Sequence, residues 1–218
     1  IQQEVVPTEP INLERKIRQL LSTGKFKGAF KRIKEYGILD VPKSKKLLLE
    51  AEYAYHRGRY AEAKEKALTV LTLAGESIFT LNLLSNTLVK LREFDQAMRV
   101  LDIAQSLSPL NVDRICQMAD VQLEMGDTEQ AESKLAEAEE IDSESPVVIQ
   151  TKVNSSIMKG DTKAAKSAMA KMPKIDKVLS FMNNRAVALS KCDQVNEAVE
   201  LYQRTLLSIP ENLKLIKI

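Results

Sequence analysis

The chain has 218 residues, of which 44% are hydrophobic and 28% charged, and its formal net charge at pH 7 is +2. The hydrophobic content is ample for a continuous packed core. The sequence contains no run of about 18 apolar residues, which excludes a membrane-spanning helix.

Six alanines recur at an almost constant interval along the chain. The spacings between neighbours are 34, 34, 34, 34 and 33 residues. A constant period in this range is typical of helical repeat arrays, in which each unit packs only on its neighbours. The alanines are Ala29, Ala63, Ala97, Ala131, Ala165 and Ala198.

Taken in chain order, the surroundings of these alanines repeat as well. A glycine or a polar residue stands five positions before each alanine, and glycine in such a break adopts a positive φ between two helices without a Cβ clash. Proline ends a helix or occupies its first turn, as we expect for Pro109, Pro146 and Pro210. Asp127 and Asp161, directly after their glycines, are predicted N-caps. The break residues are Gly24, Gly58, Arg92, Gly126, Gly160 and Asp193.

This order of a break, an aromatic or small residue, an alanine and a closing proline resembles the tetratricopeptide repeat, a helix–turn–helix unit of about 34 residues. The resemblance implies an all-α fold, a right-handed superhelical solenoid of six such repeats and about 12 helices. The repeats are expected to start near residues 10, 44, 78, 112, 146 and 179. Apolar residues replace the family's first-helix aromatic, namely Leu13, Leu47, Leu81, Ile115, Ile149 and Met182.

We predict one repeat array over residues 10–211, preceded by a linker over residues 1–9 and followed by the start of a further or capping helix over residues 212–218. Repeat arrays need polar terminal caps, so we interpret the chain as a segment of a longer protein. Helix layers about 8–10 Å apart separate Cys116 and Cys192 too far for a disulfide. Two free thiols favour a reducing compartment, and the predicted location is therefore cytoplasmic. A removed signal peptide is the alternative, and it places the protein outside the cytoplasm.

The charge is unevenly distributed along the chain. Residues 10–75 contain 15 Lys and Arg against 7 Asp and Glu, residues 110–145 contain 2 against 11, and residues 146–218 contain 12 against 6. One interpretation is a set of solvated outer faces, and the other is a dipolar surface that steers charged partners. Nucleic-acid binding is disfavoured because the chain has no tryptophan and only 5% aromatic residues with which to stack bases.

In tetratricopeptide repeats the first helix of each repeat lines a concave groove, and the resemblance assigns groove positions to this chain. Several of them are primary amides, which carry both a donor and an acceptor and so pair with a peptide backbone of any sequence. The alternative is that these amides are merely solvated. The predicted groove residues are Asn82, Asn86, Gln150, Asn154, Asn183, Asn184, Asp120, Glu52, Arg18 and Tyr55.

We expect no catalysis, no cofactor and no metal. His56 is the only histidine, no phosphate-binding glycine loop occurs, and Cys116 and Cys192 are too far apart to share a metal. One variant of the family binds a peptide carboxylate with a clamp of lysine, arginine and asparagine. This clamp is also absent, because Glu14 and Phe79 occupy two of its positions.

The predicted function is a non-enzymatic protein–protein interaction scaffold that binds a peptide or helix of a partner in its concave groove. One alternative is an output or dimerisation module of a larger bacterial signalling protein. Residues 183–213 resemble the repeats that follow receiver domains in some bacterial response regulators. The other alternative is a self-assembly module that forms homo-oligomers.

Overall fold

The structure, a computed structural model, describes residues 10–210. All regular secondary structure in this range is α-helical, and none of these helices is both long and apolar enough to cross a membrane. The predicted terminal linker (1–9) and further helix (212–218) lie outside the described residues. The helices are α1 (Pro10–Ser22), α2 (Phe26–Gly37), α3 (Lys43–His56), α4 (Tyr60–Ala74), α5 (Ile78–Leu91), α6 (Phe94–Leu107), α7 (Val112–Met125), α8 (Thr128–Asp142), α9 (Pro146–Lys159), α10 (Thr162–Met169), α11 (Asp176–Lys191) and α12 (Val195–Ser208).

The odd-numbered helices are the first members of six helix pairs. They begin at residues 10, 43, 78, 112, 146 and 176. The starts expected from the sequence are near residues 10, 44, 78, 112, 146 and 179. Pro146 occupies the first turn of α9, where its missing amide donor costs nothing. Asp127 and Asp161 each accept a hydrogen bond from a backbone amide of the following helix, at 3.1 and 2.9 Å. The predicted N-caps are confirmed.

The turn inside each helix pair contains one residue with a left-handed backbone, and it is the predicted break residue. At four of the six positions it is a glycine, whose φ lies between 69° and 88°. Arg92 and Asp193 adopt a φ of 60° at the other two positions. A side chain in this conformation costs on the order of 1 kcal/mol, so the repeat imposes the turn geometry even where glycine is missing.

The described residues divide into two compact units of three helix pairs each. Unit 1 ends at Leu107 and contains α1 to α6, and unit 2 begins at Ser108 and contains α7 to α12. Within a unit, each helix packs on the next, except that α10 packs on α9 and α12 and not on α11, and successive first helices also contact each other. All six repeating alanines are buried, the most exposed of them, Ala198, at 2%. Their small side chains permit this close helix packing.

Helix α10 departs from the repeat because it is short. It has 8 residues, whereas the other second helices have 12 to 15. After it, the amides of Lys171 and Met172 bond carbonyls only three residues back. Pro173 disfavours a helical backbone at Met172 and supplies no amide donor of its own. Residues 170–175 are therefore irregular until α11 begins.

Both cysteines are free thiols, as predicted, with Cys116 buried and Cys192 exposed. Burial raises the pKa of the Cys116 thiol to about 11. The Cys116 side chain therefore remains a neutral packing group of unit 2 at physiological pH.

Candidate partner-binding site

In unit 1 the three first helices bring an arginine, a glutamate and a phenylalanine together. Arg18 on α1 donates through Nε and Nη2 to the carboxylate of Glu52 on α3, at 3.0–3.1 Å. The guanidinium carbon of Arg18 lies 6.0 Å from the ring centre of Phe79 on α5. Arg18 and Glu52 are 34 residues apart, so they occupy equivalent positions of neighbouring repeats. The structure thus places these two predicted groove residues on one face and pairs them with each other.

Glu14 extends the polar network around this pair. Its carboxylate accepts a hydrogen bond from the Tyr36 hydroxyl and lies 3.6 Å from Arg18 and 3.8 Å from Lys45. Burial and the neighbouring Glu14 raise the pKa of Tyr36. Burial opposes the charged form of Arg18, but the hydrogen bond and charge of Glu52 outweigh it and raise the pKa of the guanidinium. Arg18 therefore keeps its positive charge and Tyr36 stays neutral throughout the physiological pH range.

The other predicted groove residues of unit 1 differ in accessibility. Tyr55 is half-buried, and its ring meets those of His56 and Tyr60 edge-on with 5.6 Å between ring centres. It belongs to an aromatic cluster at the end of α3. Asn82 is half-buried and Asn86 is exposed, both on α5.

Phe79 stands on the same face of α5 as these two asparagines. It precedes Asn82 by three residues and Asn86 by seven, which places all three on one side of the helix. Phe79 is 72% exposed. Unit 1 therefore presents an exposed aromatic ring beside amide groups and an arginine–glutamate pair.

In unit 2 the equivalent contact joins Asp120 on α7 to Asn154 on α9. Asn154 Nδ2 donates to Asp120 Oδ1 at 3.0 Å, again across 34 residues. Asn154 is fully buried, and its Oδ1 has no hydrogen-bond partner among residues 10–210. Burial and the charge of Glu124 raise the pKa of Asp120 to about 7, although the hydrogen bond that Asn154 donates opposes this shift. Asn154 is an internal side chain of the unit and not one of the amides that its surface presents.

The remaining predicted amides of unit 2 lie at the surface. Gln150 is half-buried in the second turn of α9, and Asn183 and Asn184 are exposed on α11. The Tyr202 hydroxyl on α12 donates to Asn183 Oδ1 at 2.9 Å, which orients that amide. The structure thus separates the predicted amides into surface groups and the buried Asn154.

Sequence reasoning missed a cavity of about 540 Å³ in unit 2, where residues 170–175 meet the first turns of α9 and α11. Among the predicted groove residues, Gln150 lines it. The signals for it in the sequence are the spacing of 33 residues between Ala165 and Ala198 and the presence of Pro173. The cavity is lined by Glu144, Pro146, Val147, Ile149, Gln150, Lys171, Met172, Pro173, Lys174, Asp176 and Lys177.

Comparisons with known proteins give similarity in structure only. No protein-family model and no curated protein matches the chain. A thermophilic tetratricopeptide repeat protein of Thermus thermophilus matches with a TM-score of 0.64 and 21% identity, over 83% of this chain and 98% of that one. YrrB, described as a tetratricopeptide repeat protein with an unusual peptide-binding site, matches with a TM-score of 0.56 and 19% identity, over 75% and 84% of the two chains. The Cut9–Hcn1 hetero-tetramer of the APC/C matches with a TM-score of 0.67 and 14% identity, over 94% and 40%.

The chain has the tetratricopeptide repeat fold. The predicted all-α architecture of paired helices is confirmed by the twelve helices of residues 10–210 and by these structural neighbours. At these low identities the neighbours show the fold alone, and any ligand has to be inferred from the surface residues of this chain.

Proposed function

We propose that the chain is a non-enzymatic scaffold whose first-helix faces hold a segment of a partner protein. The observation that carries this proposal is the convergence of Arg18, Glu52 and the exposed Phe79 from three first helices of unit 1. Phe79 is 72% exposed, and its burial against a partner stabilises the complex because apolar surface is removed from water. The adjacent Asn82 amide supplies a donor and an acceptor for a backbone lying beside that ring.

We assign two different roles to Phe79 and eight of the predicted groove residues. Arg18 with Glu52, and Asp120 with Asn154, are already hydrogen-bonded to each other and hold neighbouring first helices in register. Ligand contacts are assigned to the surface groups of each unit by itself, which are Phe79 and Asn82 in unit 1 and Gln150, Asn183 and Asn184 in unit 2. The peptide-binding site ascribed to the structural neighbour YrrB supports a peptide as the ligand.

The test begins with selection of a random dodecapeptide phage library on the full chain. A selected peptide is labelled, and its affinity is measured by fluorescence anisotropy for the wild type and for the variants Phe79→Ala and Asn82→Ala. We expect Phe79→Ala to weaken binding about tenfold or more, because exposed aromatic anchors dominate such interfaces. Asn82→Ala removes a single amide contact and is expected to weaken binding less.

Two matched controls are available on second helices. Leu73→Ala removes a side chain that is 53% exposed on α4, and Asn196→Ala removes an exposed amide on α12. Both are expected to bind the selected peptides like the wild type. Equal binding by Phe79→Ala, Leu73→Ala and the wild type for every selected peptide contradicts the proposed site.

The two alternatives from the sequence, a bacterial signalling output module and a self-assembly module, stay predictions, as does the cytoplasmic location. The sequence upstream of Ile1 tests the first, and light scattering over a range of protein concentrations tests the second.

A further inference from the structure

The cavity of unit 2 has an apolar wall. A volume of about 540 Å³ is within the range of pockets that enclose small ligands and accommodates one or two apolar side chains. Such a pocket can anchor a partner segment, because an apolar side chain that enters it removes apolar surface of both the partner and the pocket from water. The wall consists of Pro146, Val147, Ile149, Met172 and Pro173.

The charged rim of this cavity is dominated by lysines. Lys171 and Lys174 come from the irregular segment after α10, and Lys177 comes from the first turn of α11. None of the three is in an ion pair with another residue of the range 10–210. Two carboxylates, Glu144 and Asp176, also line the cavity. They stand at the starts of α9 and α11, where the positive ends of the helix dipoles offset their charge.

We propose that this cavity docks an apolar side chain of a partner segment and that the lysine rim binds carboxylates beside that side chain. The proposal rests on the proposed function and names the chemistry of one ligand subsite. The cavity and the predicted groove share one residue, Gln150, which lines the cavity. Its amide offers a donor and an acceptor to the backbone of a docked segment. A basic segment is disfavoured because it would bring its cations toward the ammonium groups of Lys171, Lys174 and Lys177.

Four pools of labelled octapeptides test the ligand chemistry on the full chain. Their fixed central triplets are Glu-Leu-Glu, Lys-Leu-Lys, Glu-Gln-Glu and Lys-Gln-Lys, with random flanking residues. Anisotropy at low salt gives the affinities, and backbone amide shifts in NMR spectra locate the site. We expect the Glu-Leu-Glu pool to bind most tightly and to shift the amides of Val147, Gln150 and Met172.

A pair of double variants with the same charge change tests the lysine rim. Lys174→Gln with Lys177→Gln removes two rim charges, whereas Lys163→Gln with Lys191→Gln removes two exposed charges away from the cavity. We expect the rim variant to bind the Glu-Leu-Glu pool about fivefold more weakly than the control, with a smaller difference at high salt. Circular dichroism checks that both variants are folded.

The outcomes separate this inference from the proposed function. Equal affinity of the Glu-Leu-Glu and Lys-Leu-Lys pools, or equal loss in the two double variants, overturns the lysine-rim assignment. Peptide binding that shifts amides near Phe79 or Asn183 but none around the cavity overturns the cavity site and leaves the proposed function standing. Absence of binding by any pool, together with failure of the phage selection, overturns both.

Discussion

Asp120 and the buried Asn154 form a partly buried polar contact in which not every group is satisfied. Asn154 Nδ2 donates to Asp120, but Asn154 Oδ1 has no donor within the described part of the chain. An ionised carboxylate has no proton to give, whereas a protonated carboxyl also offers a donor to the adjacent amide. Burial and Glu124 raise the pKa of Asp120 to about 7, so the folded protein favours the neutral form. The contact is therefore most stable when Asp120 carries its proton.

This arrangement predicts a pH-dependent contribution to stability. The folded-state pKa of about 7 lies above the ordinary value of 3.8, so the folded state binds the proton more tightly. The contribution of Asp120 is fully present below the ordinary pKa and is lost as the pH rises through about 7. We expect Asp120→Asn to increase the free energy of unfolding at about pH 8 by ~1–3 kcal/mol, because the amide is neutral and can donate.

Urea denaturation followed by circular dichroism, repeated across this pH range, measures the effect. Asp102→Asn, which changes an exposed carboxylate on α6, is the matched control and is expected to change the unfolding free energy little. If Asp120→Asn and the wild type keep a constant difference in unfolding free energy from mildly acidic to mildly alkaline pH, the linkage assigned to Asp120 is wrong.

At the scale of elements, polar contacts between equivalent positions connect successive first helices. Arg18 binds Glu52 through two nitrogens, in a fork geometry that lysine cannot reproduce. The side chain of Arg18 is 40% exposed and that of Glu52 is 17% exposed, so solvent screens part of the attraction. The pair therefore adds little to the stability of the unit, and its main effect is to orient α1 against α3.

A double-mutant cycle with Arg18→Lys and Glu52→Gln measures this contact. We expect a coupling of ~0.2–1 kcal/mol that decreases as salt is added. The comparison pair is Lys152 with Glu139, which joins α9 to α8 through one nitrogen at 2.6 Å and is 50% and 33% exposed. Its coupling is expected to be smaller, and a coupling as large as that of Arg18 with Glu52 contradicts the role of the fork.

At the scale of the whole molecule, the period of the sequence predicts most of the fold. Local chemistry determines the helix starts, as the N-caps Asp127 and Asp161 show, whereas the repeat imposes the left-handed turn at Asp193. The buried state of Asn154 was not predictable in the same way. It depends on Asp120, which is one repeat away and becomes a neighbour only in the packed structure.

The cavity was not predictable from the sequence for a related reason. Pro173 indicates that a helix ends, but the path of residues 170–175 depends on which surfaces of α9 and α11 lie nearby. Periodicity describes what the repeats share, and a binding site arises where one repeat differs. The surface chemistry of the proposed ligand sites therefore had to come from the structure.

Each compact unit contains three repeats and its own buried core, which predicts that each folds as a separate fragment. In repeat proteins a helix pair contacts only its neighbours, so three stacked pairs enclose a continuous core. Unit 1 buries Ile17, Leu21 and Leu49 together, and unit 2 buries Ile157 and Met182 together. We expect fragments 1–107 and 108–218 each to have a helical circular dichroism spectrum and a cooperative thermal transition.

A shortened fragment, 1–91, is the internal control for this prediction. It ends with α5 and lacks α6, so Leu84 and Leu88 lose their contact with Ala97. Exposing these leucines removes part of the hydrophobic stabilisation, and we expect fragment 1–91 to melt at a lower temperature than fragment 1–107. A disordered spectrum for fragment 1–107 or 108–218 contradicts the prediction, because it means that the buried core of a three-repeat unit is insufficient to hold its helices together.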